Sequence, residues 1–323
     1  MLQQNLLLPF QGLRLSVKFI ICLISVFAFQ SVMSQVVKRQ SEFCKFSQER
    51  LFETNVQVFN LGPTINTRFS EYNSVFKSDE SYMLYTSRND TTTGEEVYSK
   101  DLQYFEDIMI SEFDGRRFVN GLNLSEKPEL FPYIFNSEKH EAPVFLSEDD
   151  SLFILFKEDK LWYSMLSDTG YLAAAEYSKS VNIKDYHRHA SISPIDSVIY
   201  FSVEVMDRKS GRNHYDIYQA KLDAKGQWKN PKPLSDKINT LYHEDSPIIS
   251  EDGKSMHFSS AKPGGLGGFD IYYTEKEGDD WSEPINLCEP INSEGDDIYF
   301  SMSNSDNYAY FSSNRLGGFG KFD

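Results

Sequence analysis

One acidic or imidazole side chain begins each of five repeated segments in this 323-residue chain. The five residues are Glu71, Glu141, His187, Glu244 and Asp297. If these residues begin the innermost strands of neighbouring sheets, their carboxylates could hold a hard cation such as calcium. Two of them could instead act as general acid and base on a glycan. The structural alternative is that polar side chains at strand starts bond neighbouring backbone amides. We therefore predict candidate binding residues here and assign no catalytic residue.

Histidines near two of these positions suggest a zinc site as a further hypothesis. His187 and His189 are two residues apart, so a β-strand would place both on one face. With His243 and Glu244 of the next repeat they could ligate zinc. Scattered surface histidines are the commoner case. We therefore predict no metal and no cofactor, with calcium at the ring of carboxylates as the alternative.

Other chemical motifs are absent or are better explained by structure. No Gly-x-Ser-x-Gly elbow of a serine hydrolase occurs in the chain. The glycine-rich loops 264–268 and 317–320 precede strands instead of helices, so we interpret them as tight connectors with positive φ and not as phosphate cradles. An Asp recurs at the start of another predicted strand, at positions 107, 216, 270 and 323. Because a catalytic residue is needed only once, this recurrence indicates a structural role.

The elements that position these residues form a repeat of four strands. Segment 311–323 is in register with segment 258–270, and the starts of the five units are 70, 46, 57 and 53 residues apart. Each unit has a short apolar strand, a turn with Ser, Asp or Gly and an alternating strand, followed by a second hairpin. Such units are typical of propeller blades. We predict an all-β propeller of four-stranded blades with five visible units, the last incomplete, and five or six blades in the intact protein.

Composition and the N-terminus indicate export. The net charge of -16 provides no basic stripe for nucleic acid. Arg14 and Lys18 precede the apolar run 19–29, which is too short to span a bilayer and is typical of a signal peptide. We predict a signal peptide at 1–34, an N-terminal lead-in at 35–54 and the propeller at 55–323, with no transmembrane span after cleavage. The mature chain would keep Cys44 and Cys288, which could pair in an oxidising compartment.

One segment matches the end of a unit but precedes the first unit. Asn60-Leu61 and Ile65-Asn66 repeat Asn286-Leu287 and Ile291-Asn292 at a constant offset. In a closed propeller such a segment completes the last blade and removes an exposed sheet edge. If the fifth unit is the last, we therefore expect residues 56–62 to pair with its strands. The alternative is a loose N-terminal strand beside the first unit.

Several repeat motifs resemble those of a known family. Segments 250–260, 264–272 and 312–318 resemble the repeats of TolB-type, WD-like β-propellers. The long first unit, with Thr86-Ser-Arg88 and residues 104–108, is similar to bacterial envelope proteins with such a propeller ahead of an OmpA-type peptidoglycan-binding domain. The resemblance covers residues 55–323 and implies that any such domain would follow Asp323.

The resemblance implies an exported, non-enzymatic and monomeric β-propeller. We expect it to serve as a protein-interaction or envelope-assembly platform in the periplasm or at the outer membrane. Its partner would be an envelope protein or a peptidoglycan-associated assembly, bound at the rim where the unit starts and loops 89–103 and 206–214 gather. The first alternative is a glycan-active hydrolase or lyase that uses the channel-mouth carboxylates. The second is a passive spacer for a peptidoglycan-binding domain beyond this sequence.

Overall fold

The computed structural model contains five β-sheets arranged as consecutive blades within the compact unit 51–323. The residues that it describes are 56–94, 97–98, 102–183, 189–207, 211–303 and 308–323. The predicted signal peptide, the lead-in and His187 lie outside these residues. Within them, the one helical element is the short 3-10 turn Leu124–Glu126. The prediction of an all-β propeller is confirmed.

Each blade follows the order of its strands along the chain, with antiparallel neighbours. Blade 1 has the strands Glu71–Phe76, Tyr82–Ser87, Asp107–Phe113 and Phe118–Asn123. Blade 2 has Glu141–Leu146, Leu152–Lys157 and Lys160–Ser167, and the third pairs with the short strands Gly170–Tyr171 and Ala175–Glu176. Blade 3 has Ala190–Ser193, Val198–Met206, Asn213–Leu222 and Trp228–Pro233. Blade 4 has Glu244–Ile249, Ser255–Ser260 and Asp270–Glu277, and the third pairs with Asp280–Trp281 and Ile285–Asn286. Blade 5 has Asp297–Met302 and Ala309–Ser313.

A separate hairpin, Val97–Tyr98 with Gln103–Tyr104, lies in the loop between the second and third strands of blade 1. The predicted turns are also present. In blade 4, Ser250 Oγ donates to Asp252 Oδ1 at 2.8 Å, and Gly253 has a φ of +67°. This polar turn joins the first two strands, as the Ser, Asp and Gly of the repeat predict.

The core lies between the faces of adjacent blades. All six residues of Tyr82–Ser87 are buried, because neighbouring sheets cover both faces of this strand. Leu84 of blade 1 packs in one cluster with Phe153 of blade 2, and Tyr200 of blade 3 packs with Phe258 of blade 4. Each sheet therefore buries its apolar faces only through its neighbours.

The ring of sheets closes after the fifth blade. The backbone N–H of Asp297 donates to Phe269 O of blade 4 at 2.8 Å, and the N–H of Glu71 donates to Phe322 O at 2.9 Å. Equivalent backbone hydrogen bonds thus join blade 4 to blade 5 and the last residues of the chain to blade 1. Tyr310 of blade 5 also packs in the apolar cluster of blade 1. The described residues thus form four complete blades and a two-stranded fifth sheet.

Two glycines mark equivalent contacts between blades. A Cβ on Gly267 would lie 1.7 Å from Gly295 O, and a Cβ on Gly320 would lie 1.6 Å from Phe69 O. The first contact joins blades 4 and 5, and the second joins blades 5 and 1. Only glycine allows the backbones to approach this closely.

Residues 56–62 contact the fifth unit but do not form the predicted strand. Asn60 Nδ2 donates to Asp323 Oδ2 at 3.0 Å, as Asn286 Nδ2 donates to Asp270 Oδ2 at 2.9 Å in blade 4. Val56 packs against the apolar cluster between blades 4 and 5. In blade 4 the outer strand Ile285–Asn286 pairs with the third strand, whereas residues 56–62 form no strand. The strand prediction for 56–62 is therefore wrong, because this segment meets the fifth unit through the Asn60 side chain and not through a backbone ladder.

Candidate functional site at the channel mouth

The unit-start carboxylates are buried anchors inside their own blades. Glu244 is 0% exposed, and its Oε2 accepts a hydrogen bond from the Thr240 N–H at 2.8 Å. Its Oε1 accepts from Thr240 Oγ1 at 2.7 Å and from Ser260 Oγ at 2.8 Å. The carboxylate thus ties the connector before the blade to the first two strands.

The same arrangement occurs at the other described unit starts. Glu71 accepts from the N–H and hydroxyl of Thr67, and Glu141 accepts from those of Ser137. In the fifth unit, Asp297 accepts in the same way from Ser293, and Arg315 Nη2 lies 2.6 Å from its second oxygen. These contacts match the structural alternative, in which unit-start residues bond neighbouring backbone amides.

Burial is the largest influence on the pKa of the three glutamate anchors. It raises the pKa of Glu71, Glu141 and Glu244, and hydrogen bonds from Thr or Ser partly offset that effect. A buried carboxyl is disfavoured in its charged form unless donors compensate. The raised pKa of these three side chains therefore follows from their burial.

The recurrent Asp of the third strand is also anchored within its blade. Asp107 accepts from Asn123 at 2.6 Å, and Asp270 accepts from the backbone N–H groups of Leu266 and Gly267 at 2.6 and 3.1 Å. The glycine-rich loop does surround an anion, but the anion is the carboxylate of its own blade. Gly264 has a φ of +98°, which agrees with the prediction of a tight connector.

The inner strands depart from regular β geometry where they face the centre. Asn73, Ser246 and Tyr299 have φ values of 58°, 55° and 58°, at equivalent positions of blades 1, 4 and 5. In all three strands the register of pairing shifts at this point, as at a β-bulge. Bulges re-aim side chains and are frequent beside functional sites.

A polar cluster lies where blades 3 and 4 meet this central space. His189 Nδ1 donates to Asp245 Oδ1 at 2.9 Å, and Ser202 Oγ donates to the same oxygen at 2.5 Å. Burial acts to raise the pKa of Asp245, but the neighbouring His189 and the hydrogen bonds outweigh it, and the pKa lies below its ordinary value of 3.8. Asp245 is therefore a carboxylate at neutral pH.

A cavity of about 140 Å³ opens beside this cluster. Asp245 and Ser246 of blade 4 line it together with the rings of Tyr215, Phe269 and Tyr299. Tyr299 stacks on Tyr72 with ring centroids 5.3 Å apart. The site thus combines one carboxylate with aromatic walls from three blades.

The two described histidines of the zinc hypothesis have different partners. His189 pairs with Asp245, whereas His243 packs beside the rings of Tyr215 and Phe269. Glu244 is committed to Thr240. Among the residues described, no group of three or more His, Cys, Asp or Glu side chains could hold a metal ion.

Two further predictions concern cysteine pairing and membrane association. Cys288 is disulfide-bonded, and its predicted partner Cys44 lies outside the described residues. In the described part of the chain, no helix has the length and apolar character needed to cross a membrane.

Comparison with known proteins gives structural similarity only. No family model and no curated protein matches the chain. Among solved structures it is similar to TolB from Acinetobacter baumannii (13% identity, TM-score 0.43), with 74% of this chain and 48% of that chain covered. It is also similar to a putative TolB from Agrobacterium tumefaciens (16%, TM-score 0.43; 78% and 73% covered). A third match is a glycoside hydrolase (10%, TM-score 0.47; 86% and 96% covered).

This chain therefore spans about half of the Acinetobacter TolB. TolB proteins, whose repeats the sequence resembles, are among the matching structures. The assignment of the fold depends on the strand pairing of the chain itself.

Proposed function

We propose that this protein is an exported, non-enzymatic propeller that binds a protein partner of the cell envelope through one end of its blades. The observation that carries the proposal is a set of exposed apolar side chains in the loops at that end. They are Leu102 (79% exposed), Ile134 (86%), Leu241 (76%), Leu316 (99%) and Phe319 (51%). Apolar side chains that are this exposed at one end of the blades are available to a partner.

The topology explains why these side chains share one end. Strands alternate in direction, so the loops between second and third strands and the connectors between blades leave the sheets at the same end. Leu102 lies in the first kind of loop, and Leu316 follows the second strand of blade 5. Ile134 and Leu241 lie in the second kind, the connectors between blades. The cavity beside Asp245 opens at this end too, because Asp245 is the second residue of its inner strand.

The contacts of the unit-start carboxylates favour binding over glycan cleavage. A glycoside hydrolase needs one carboxyl group that protonates the leaving group and a second that attacks or activates water. Glu71, Glu141 and Glu244 are at most 3% exposed, and backbone and hydroxyl donors occupy their oxygens. They support blade geometry and are not available to a sugar.

Site-specific photocrosslinking in cells tests the proposed surface. A photoreactive amino acid replaces Leu241 or Ile134 in the full chain, and the matched control replaces Ile195, which is 72% exposed in a turn at the other end. We expect discrete protein adducts from the first two positions and none from Ile195. Equal adducts from all three positions, or none from any, would contradict the binding surface, and the latter result would favour the passive spacer.

Two further measurements test the remaining parts of the proposal. Cell fractionation should recover the mature chain outside the cytoplasm. Incubation of the wild-type protein with a panel of envelope glycans should give no cleavage. Turnover by the wild type that is lost in Glu244→Gln would establish the glycan-active alternative instead.

A further inference from the structure

The carboxylate of Asp245 lines the cavity, and only one of its two oxygens accepts hydrogen bonds from the protein. His189 Nδ1, Ser202 Oγ and the Ser246 N–H all bond Oδ1 of Asp245. Oδ2 of Asp245 has no hydrogen-bond partner among the described residues. The side chain keeps 17% of its surface exposed, and the residue lines the cavity. One carboxylate oxygen therefore remains available to a donor that enters from outside.

The hydroxyl of Ser246 is a second uncommitted group in the same cavity. The residue is 4% exposed, and its Oγ is buried without a hydrogen-bond partner in the described structure. A buried hydroxyl left unpaired costs free energy. The left-handed backbone at Ser246, with φ at 55°, is also unfavourable for a residue with a Cβ. The unpaired hydroxyl and the left-handed backbone of Ser246 would both be explained if this residue contacts a bound ligand.

The remaining walls are aromatic. The rings of Tyr215, Phe269 and Tyr299 line the cavity, and the described lining residues include neither lysine nor arginine. Aromatic faces attract organic cations, and sites that bind quaternary ammonium groups combine several such rings. The net charge of -16 favours the approach of cations and opposes that of anions.

We propose that this cavity binds an alkylammonium group, held between Tyr215, Phe269 and Tyr299 and paired with the free oxygen of Asp245. A volume of about 140 Å³ is several times that of one water molecule, about 30 Å³, and suits a small ammonium head group. This site for a small cation goes beyond the proposed protein-binding surface, which uses the exposed loops around it. Binding at one is measured independently of binding at the other.

Isothermal titration calorimetry on the full chain tests the proposal. The probes are choline, its uncharged isostere 3,3-dimethylbutan-1-ol and Nα-acetyl-lysine amide. Choline and the lysine derivative distinguish a quaternary ammonium ligand from a primary one, such as a lysine side chain. We expect at least one of them to bind, and the uncharged isostere to bind about tenfold more weakly than choline or not at all.

Three substitutions locate the site. Asp245→Asn removes the charge but keeps an acceptor for His189, and Phe269→Leu removes one aromatic wall. Each should weaken binding about tenfold. Asp252→Asn, in an exposed turn at the other end of blade 4, should leave affinity within about twofold of the wild type.

Three results would overturn the proposal. The first is the absence of binding by both ammonium probes. The second is equal affinity for choline and its uncharged isostere, which would indicate an apolar cavity alone. The third is unchanged affinity in Phe269→Leu. Because the isostere comparison uses the wild type, it decides the question even if Asp245→Asn fails to fold.

Discussion

Replacement of Glu244 distinguishes a structural anchor from a channel-mouth ligand. The side chain is 0% exposed and accepts three hydrogen bonds, two from Thr240 and one from Ser260. Glu244→Ala would remove the acceptor for all three donors and leave a cavity. Hydrogen bonds to charged groups contribute about 1.5–3 kcal/mol each, and such losses are not additive. We expect the free energy of unfolding to fall by about 3–5 kcal/mol.

Glu244→Gln should be much less damaging. The amide oxygen can accept from the Thr240 N–H, while the amide nitrogen donates to the Thr240 and Ser260 hydroxyl oxygens, which can rotate to accept. We expect a change within about 1 kcal/mol near pH 8. The glycan-active alternative predicts the reverse pattern, with stability unchanged in both variants and activity lost.

The same pair of variants has a defined pH dependence. Burial is the largest influence on Glu244 and raises its pKa above the ordinary value of 4.5. A carboxyl with a raised folded-state pKa stabilises the protein fully below its unfolded pKa, and this contribution is lost as the pH rises through the folded pKa. The stability of the wild type relative to Glu244→Gln should therefore increase when the pH falls from about 8 to about 5.

Urea denaturation at both pH values measures these differences as shifts of the midpoint at constant slope. Thr240→Val serves as a control for the hydroxyl donor alone and should cost about 1 kcal/mol. The anchor role would be refuted if Glu244→Ala and Glu244→Gln were equally stable at both pH values. It would also be refuted if the wild type lost stability relative to Glu244→Gln on acidification.

Two further predictions test how the ring closes. Gly267→Ala and Gly320→Ala should each cost about 2 kcal/mol or more, because the new Cβ would lie within 1.7 Å of a backbone oxygen. Gly94→Ala, whose Cβ would meet its nearest atom at 3.4 Å, should cost about 1 kcal/mol or less in the same thermal melts. Asn60→Ala removes the side chain that bonds Asp323 and should destabilise by about 1 kcal/mol, whereas an unchanged melting temperature would argue against closure through residues 56–62.

The blades could be predicted because each unit uses the same kinds of turn, strand and anchoring side chain. A turn with Ser and Asp recurs in the units, and a carboxylate begins four of the five, for the same physical reasons each time. The outer segment at Asn60 was recognisable for that reason too. The expected strand pairing was wrong, because the contact with the fifth unit is made by the Asn60 side chain and not by a backbone ladder.

The candidate site could not be predicted from the same repeat. The unit-start residues attracted attention because they recur, and recurrence selects residues that every blade requires. The cavity uses positions that differ between units: the second residue of the inner strand is Tyr72, Ala142, Asp245 or Ile298. Of the residues that bond Asp245, sequence analysis singled out His189 as a candidate ligand, and its carboxylate partner belongs to the next unit, 56 residues away.

Backbone geometry supplies the signal that sequence patterns lack. Asn73, Ser246 and Tyr299 adopt left-handed φ at the same position of three inner strands, although none is a glycine. Such residues persist only where surrounding structure holds them, and each costs about 1–3 kcal/mol. A purely structural bulge would favour Gly or Asn at all three positions, as Asn73 illustrates. A serine and a tyrosine occupy the other two positions, and both residues line the cavity beside Asp245, so the strained backbone and the proposed ligand site coincide.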